Sequence, residues 1–235
     1  MANGGHIAFV SGANCGIGAE VARQLAARGM AVVLGARNLE SAEETKLAVE
    51  REGGEALIVR LDVTNPGTIA KALQAVSITY GELHVLVNNA GIDYDIDQPA
   101  AAADLDRVRS ILNVNLLGTW SLSQAMIPML RETIGARAIV NVSSGAGRLA
   151  TRGRNSPGYA VSKAALNALT RILAEELDSD GIRVNAVCAG CVATDMAGND
   201  GRPICDRAAD VVWAATLDVD GPTGGFFQDR QLTDW

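Results

Sequence analysis

Tyr159 and Lys163 stand four residues apart at the start of an apolar-periodic segment that runs to about Leu177. On a helix, residues at that spacing stack on one face. A phenol ordinarily ionises near ~10, and a fixed ammonium beside it favours the phenolate and lowers that value. The pair could therefore give and take a proton near neutral pH. Tyr and Lys at this spacing also occur as surface or packing pairs, so the meaning of the pair depends on its companions.

The companions lie at the ends of a repeated pattern of strands and helices. His6 to Val10 reads as a buried strand, Ser11 to Gly18 as a glycine loop, and Ala19 to Gly29 as a helix. Glycines at 12, 16 and 18 let a backbone turn sharply and approach a pyrophosphate, with a helix N-terminus supplying N–H groups and partial positive charge. An ordinary tight strand-to-helix turn is the other reading of this stretch. Ala31 to Gly35 is the second strand. It ends at Arg37 and Asn38, where an NAD-binding unit would carry an acid. A guanidinium suits a 2′-phosphate, which favours NADP(H) over NAD(H); a solvated charge is the alternative.

Further strands follow at Ala56–Leu61, Leu83–Val87, Arg137–Val142, Ile182–Val187 and Gly224–Phe227, separated by helical segments at Leu39–Glu52, from Asn65 to about Tyr80, Asp104–Arg131, Tyr159–Leu177 and Asp206–Leu217. The expected fold is α/β: a Rossmann-type, doubly wound parallel sheet of about seven strands with helices on both faces, in one domain over residues 1–235. Asp62 at a strand end is placed to accept from an adenine amino group. Asn88-Asn89-Ala90-Gly91 sits at another carboxyl strand edge, where open α/β sheets bind ligands. Asn115 inside a helix is mildly unfavourable and asks for a reason. Ser156 is a candidate N-cap for the helix of Tyr159. The run Asp93-Tyr94-Asp95-Ile96-Asp97 reads as a solvated acidic loop at the pocket mouth.

Composition narrows the partners. The chain has 235 residues, 48% of them hydrophobic, and a net charge of −7. That balance argues against nucleic acid, and no apolar run is long enough to span a bilayer. The N-terminus has no signal-peptide pattern, so a cytoplasmic location is expected. Cys188 and Cys191 form a C-x-x-C that could be a redox pair or half a zinc site; small, reduced, half-buried side chains are the plainer reading, and no metal is expected.

In this order the motifs resemble the short-chain dehydrogenase/reductase superfamily, in its single-domain branch, over essentially the whole chain. Gly12, Gly16 and Gly18 match its glycine loop, with Ser11 where Thr is usual; Asn88 to Gly91 matches its N-N-A-G; Tyr159 and Lys163 match its Y-x-x-x-K. Ser144 matches the serine ending the fifth strand, beside Ser143, and Asn115 the family's helix asparagine. The tail Gly221 to Phe227 and the loop Asn14-Cys15-Gly16 are similar to those of NADPH-dependent carbonyl reductases. Three further residues depart: Cys15 where a basic residue is frequent, Ala189 where the family shows Pro, and Cys191 where relatives often carry Trp.

The resemblance implies a catalytic set of Asn115, Ser144, Tyr159 and Lys163. It implies a cofactor held by Gly12, Asn14, Cys15, Gly16, Ile17 and Gly18 in the first loop, and by Arg37 and Asn38 after the second strand. Asp62 and Val63, Asn89, Ala90 and Gly91, Tyr159 and Lys163, and finally Gly190, Val192 and Thr194 complete that list. The implied reaction is reversible reduction of ketones or aldehydes by NADPH, with small-molecule carbonyl or alcohol substrates and a homodimer or homotetramer. The short, polar segment from Ala197 to Arg207, which covers the pocket in this family, suggests an open site. An NAD-dependent alcohol dehydrogenase, a 3-oxoacyl thioester reductase and a non-catalytic cofactor-sensing regulator are the alternatives; the intact catalytic set argues against the last.

Overall fold

In a computed structural model of the chain, the described residues are 5–92, 95, 98–149, 156–189 and 202–235. Their strands are β1 (Ile7–Ser11), β2 (Ala31–Ala36), β3 (Glu55–Arg60), β4 (Val85–Asn88), β5 (Arg137–Ser143), β6 (Ile182–Cys188), β7 (Phe226–Gln228) and β8 (Gln231–Leu232). They form one sheet in the order β3-β2-β1-β4-β5-β6-β7-β8, parallel from β3 to β7. The order reverses between β1 and β4, which opens a crevice at their carboxyl ends.

The helices are α1 (Gly16–Ala26), α2 (Leu39–Arg51), α3 (Pro66–Thr79), α4 (Leu105–Leu112), α5 (Thr119–Glu132), α6 (Pro157–Leu177) and α7 (Ile204–Ala215). Central strands buried on both faces need apolar residues at every position, and β1 is buried throughout. Alternate side chains serve opposite layers. Phe9, Leu86 and Ile139 join Leu122, Met126 and Leu166 of α5 and α6 on one face. Val10, Leu34 and Val140 join Val21, Leu25 and Val211 of α1 and α7 on the other.

The expected alternation of elements is present, with α1 beginning at Gly16 and α7 at Ile204 rather than three and two residues later. One strand was not expected. β8 pairs antiparallel with β7 through a two-residue turn in which Asp229 and Arg230 have φ of 52° and 63°. Two positive φ values are the requirement of a type I′ hairpin turn, normally met by Asn-Gly, so Asp-Arg gave no sequence signal. Ser156 does precede α6, but makes no side-chain cap.

At the amino end of the sheet His84 is buried. Its Nδ1 accepts from Ile7 N at 3.1 Å, and the ring of His6 stacks on it at 4.3 Å. Burial first, then the His6 ring, holds the imidazole below its ordinary value of 6.5, with Arg137 acting in the same sense and Glu82 and a bond to the Ile134 backbone opposing. The unfolded chain therefore takes up this proton first. The contribution of neutral His84 is whole above the unfolded value and is lost as pH falls through the lower folded one. We expect the melting temperature to drop as pH is taken from about 8 to about 5, and the drop to shrink in His84→Gln, read by thermal melts across that range.

Candidate active site

A cleft of about 560 Å³ opens over the carboxyl ends of β1 to β4. Its walls come from the segments after each strand: Gly12, Asn14, Cys15, Gly16 and Ile17; Arg37; Asp62 and Val63; Asn89, Ala90 and Gly91. All of these were singled out from the sequence. Ile92, Val114 and Ile204 also line it; Ile204 falls in the segment from Ala197 to Arg207 expected to cover the pocket, whereas Ile92 and Val114 were not singled out as site residues.

Gly12 and Gly16 adopt φ of 66° and 57°, and the N–H of Gly12 donates to Gly35 O at 2.8 Å. Gly18 is needed for a different reason: a Cβ there would fall on the carbonyl oxygen of Gly12 and the amide of Asn89. Asn89 Nδ2 donates to Ser11 O at 3.1 Å and Gly12 O at 3.0 Å, while Ser11 Oγ accepts from the N–H groups of Asn89 and Ala90 at 3.0 and 3.1 Å. The glycine loop and the N-N-A-G segment are thus one bonded unit, and Ser11 performs its part of the bonding without a Thr methyl.

This unit fits a pyrophosphate. The N-cap residue of α1, Cys15, makes no side-chain cap, and the first turn holds no acid. By contrast α2, α3 and α4 are capped by Asn38, Asn65 and Asp104. An uncapped helix N-terminus beside glycine backbone favours an anion. Arg37 is exposed on the cleft wall, and its charge helps hold the Asp62 carboxyl below its ordinary value, behind the larger effect of two hydrogen bonds from Thr64 at 2.7 and 2.9 Å. Asn38 is exposed, accepts from Glu40 N to cap α2, and does not line the cleft.

Between α4 and α5 the chain makes a π-helical turn, Asn113–Gly118. The extra residue turns Asn115 inward, where it is fully buried. Its Oδ1 accepts from Ile92 N at 2.8 Å, and its Nδ2 donates to Ile92 O at 2.9 Å and to Ser162 Oγ at 3.0 Å. Ser162 Oγ in turn donates to Tyr159 O at 2.7 Å. The asparagine ties the edge of β4 to α6, which is the reason its helical position demanded.

Tyr159 is half-buried and Lys163 buried on one face of α6, with the ammonium 5.6 Å from the phenol ring centroid. Lys163 Nζ donates to Val142 O at 2.8 Å. A Cβ built on Gly91, a cleft wall residue, would lie 3.4 Å from Asn115 Oδ1 and 3.6 Å from Lys163 Nζ, so both groups border the cleft. At the end of β5 the two serines part. Ser143 is buried, its Oγ donating to Asn167 Oδ1 at 2.6 Å. Ser144 is partly exposed and accepts from Ala146 N at 3.2 Å.

Gly190, Val192 and Thr194, with Cys191 and the segment to 201, lie outside the described residues. Among the described residues no group of acids, histidines and cysteines could hold a metal, and Cys15, Cys188 and Cys205 form no disulfide. The acidic loop needs correction at one residue. Asp95 is 1% exposed and bonded to α6 rather than solvated.

The family profile described as short chain dehydrogenase matches residues 6–203. The chain belongs to that family. It is an oxidoreductase acting on carbonyl or alcohol groups of small molecules. It is similar to a 3-oxoacyl-[acyl-carrier-protein] reductase of Synechocystis sp., 33% identical over 82% of this chain and 76% of the relative. It is also similar to (+)-neomenthol dehydrogenase of Arabidopsis thaliana, 31% identical over 97% of each. Among solved structures, the NADPH-bound carbonyl reductase from chicken fatty liver superimposes with a TM-score of 0.88 at 27% identity, covering 98% of this chain and 99% of that one. No helix among the described residues is long and apolar enough to cross a membrane.

The two serines make separable predictions. Ser143→Ala strands the buried Asn167 oxygen and should lower stability by about 1–3 kcal/mol. Ser144→Ala, at a partly exposed site, should cost under about 1 kcal/mol. Denaturant unfolding of both variants reads the difference.

Proposed function

We propose that the protein reduces ketones and aldehydes reversibly to alcohols with NADPH, as a broad carbonyl reductase working in the cytoplasm as a single dinucleotide-binding domain. The observation that carries this reading is the Tyr159 phenol beside the Lys163 ammonium at 5.6 Å, on a helix face bordering a dinucleotide-sized cleft. The cofactor, when bound, supplies the hydride. The uncapped end of α1 takes the pyrophosphate, with Asn14, Cys15, Gly16 and Ile17 around it. Asp62 and Val63 take the adenine, and Ala90 and Gly91 the ribose beyond it, with Gly190, Val192 and Thr194 completing the site.

Tyr159 gives its proton to the oxygen of the carbonyl as that oxygen gains charge. Lys163 favours the phenolate left behind and holds the nicotinamide ribose. Ser144 donates to the substrate oxygen and aims it. Both amide hydrogens of Asn115 are engaged, so it links Lys163 to solvent through the remaining lone pair on Oδ1.

Preference for NADP(H) is supported by Arg37 on the cleft wall, where a planar guanidinium matches a phosphate, and by the NADPH in the chicken carbonyl reductase. An open mouth rests on the short, polar character of the segment from Ala197 to Arg207. The Synechocystis relative favours a second reading, reduction of a 3-oxoacyl thioester; a panel of aryl ketones, cyclic ketones and such thioesters separates the two. Assembly as a homodimer or homotetramer is supported by the exposed Leu117, Trp120, Val161 and Ile172 around α5 and α6. Leu166 and Leu169 of the same helix pack in the core instead.

Tyr159→Phe should lower kcat by at least ~100-fold with NADPH affinity unchanged in a direct binding assay; undiminished turnover with bound cofactor would refute the role. Arg37→Asp should weaken NADPH binding by about 10–100-fold, the worth of a lost charge-assisted contact, while NADH binding holds or improves. Equal losses for both cofactors would show that Arg37 does not read the 2′-phosphate and would remove this support for NADP(H).

A further inference from the structure

The buried carboxylate of Asp95 has no part in the chemistry just described, yet it touches the backbone of the residue that does. Its Oδ2 accepts from Gly158 N and its Oδ1 from Tyr159 N at 3.3 Å. Its own carbonyl accepts from Gln98 N at 3.2 Å. Val108 and Ile111 border the same spot, and hydrogen-bond partners offset the cost of burying a carboxyl group beside them. A carboxylate on the first-turn N–H groups is a helix cap that also suits the helix dipole. Asp95 thus does from a distance what adjacent Ser156 does not. Gly158 makes the room, since a Cβ there would lie 2.8 Å from Asp95 Oδ2.

An ordinary cap stabilises a helix and nothing else. Here the capped peptide is that of Tyr159 itself, and it is held at both ends. Asp95 takes its N–H, and Ser162 donates to its C=O. Ser162 is bound by Asn115, which grips Ile92 on the same post-β4 segment as Asp95. The segment that supplies Gly91 to the cleft wall therefore also fixes the phenol's backbone.

We propose that Asp95 is a positioning residue: by holding the N–H groups of Gly158 and Tyr159 it sets where the Tyr159 hydroxyl stands at the cleft. The proposal rests on Tyr159 being the proton donor. A displacement of about 1 Å at such a group can cost ~100-fold in rate.

The test uses Asp95→Ala, Asp95→Asn, Gly158→Ala and, as a remote-cap control, Asn65→Ala in the full chain. It reads kcat with NADPH and a ketone, NADPH affinity by fluorescence, and amide hydrogen exchange along α6. Asp95→Ala should lose about 10–100-fold in kcat with NADPH affinity within about threefold. Asp95→Asn, which keeps an acceptor oxygen, should recover most of that loss. Gly158→Ala, whose methyl displaces the carboxylate, should behave like Asp95→Ala. Asn65→Ala should melt earlier and keep its kcat. Amides 158–160 should lose protection in Asp95→Ala while those beyond Leu166 keep it.

The proposal is overturned if Asp95→Ala retains kcat within about twofold, or if Asp95→Asn is no better than Asp95→Ala and Asn65→Ala falls equally. Should Asp95→Ala not fold, Gly158→Ala is judged by the same criteria. A wild-type chain without carbonyl turnover would remove the proposed reaction but not the exchange measurement. Unchanged protection at 158–160 in the variants would then sink the Asp95 assignment by itself.

Discussion

Helix α6 is held on β5 by buried side-chain hydrogen bonds that allow one register. Asn141 Nδ2 donates to Thr170 Oγ1 at 2.9 Å, and Ser143 Oγ donates to Asn167 Oδ1 at 2.6 Å. The strand advances two residues while the helix retreats three, as an antiparallel strand and helix must. Asn88, level with Asn141 in the sheet, extends the ladder through Nδ2 bonds to Asn141 Oδ1 at 2.8 Å and Ser123 Oγ at 3.0 Å. Sliding α6 by one residue would move every partner by ~1.5 Å and ~100°. Each amide or hydroxyl left buried and unpaired would cost about 1–3 kcal/mol. Apolar packing alone is more permissive of such shifts than hydrogen bonds are. Carried up the same helix face, this register brings Lys163 to the carbonyl of Val142, with Tyr159 one turn earlier on that face.

Two helix N-termini at this end of the sheet are treated in opposite ways. That of α1 is left without a side-chain cap and is bordered by glycine backbone. That of α6 is filled by the carboxylate of Asp95. The same partial positive charge is available at both. One end stays open to a diffusible anion. The other is occupied by a carboxyl group of the chain itself, bonded to the first turn of the helix that carries the phenol and the ammonium.

Most of the fold was legible because both-face burial forces long apolar runs, as in Ile7–Ser11 and Ala31–Ala36, and because helices between them carry clear periodicity. The cleft was legible for the same reason: wall residues such as Gly12, Asp62 and Asn89 follow strands directly. Asn115 could be noticed because an amide inside a helix needs a partner, but the π-helical turn that supplies one comes from tertiary fit. Ser143 and Ser144 are adjacent in the sequence, and which of them meets α6 needed the helix. Asp95 was illegible, since three acids in five residues look solvated and the partners that bury one of them lie 63 and 64 positions away.

The hairpin at Asp229–Arg230 has a further effect. It ends the sheet with a strand of two exposed residues, Gln231 and Leu232, running against the direction of its neighbours. Such a stub offers another chain almost no unpaired backbone to extend. At the far border β3 begins and ends on exposed charges, Glu55 and Arg60. A protein with 48% hydrophobic residues thereby protects its sheet from edge-to-edge aggregation at both borders.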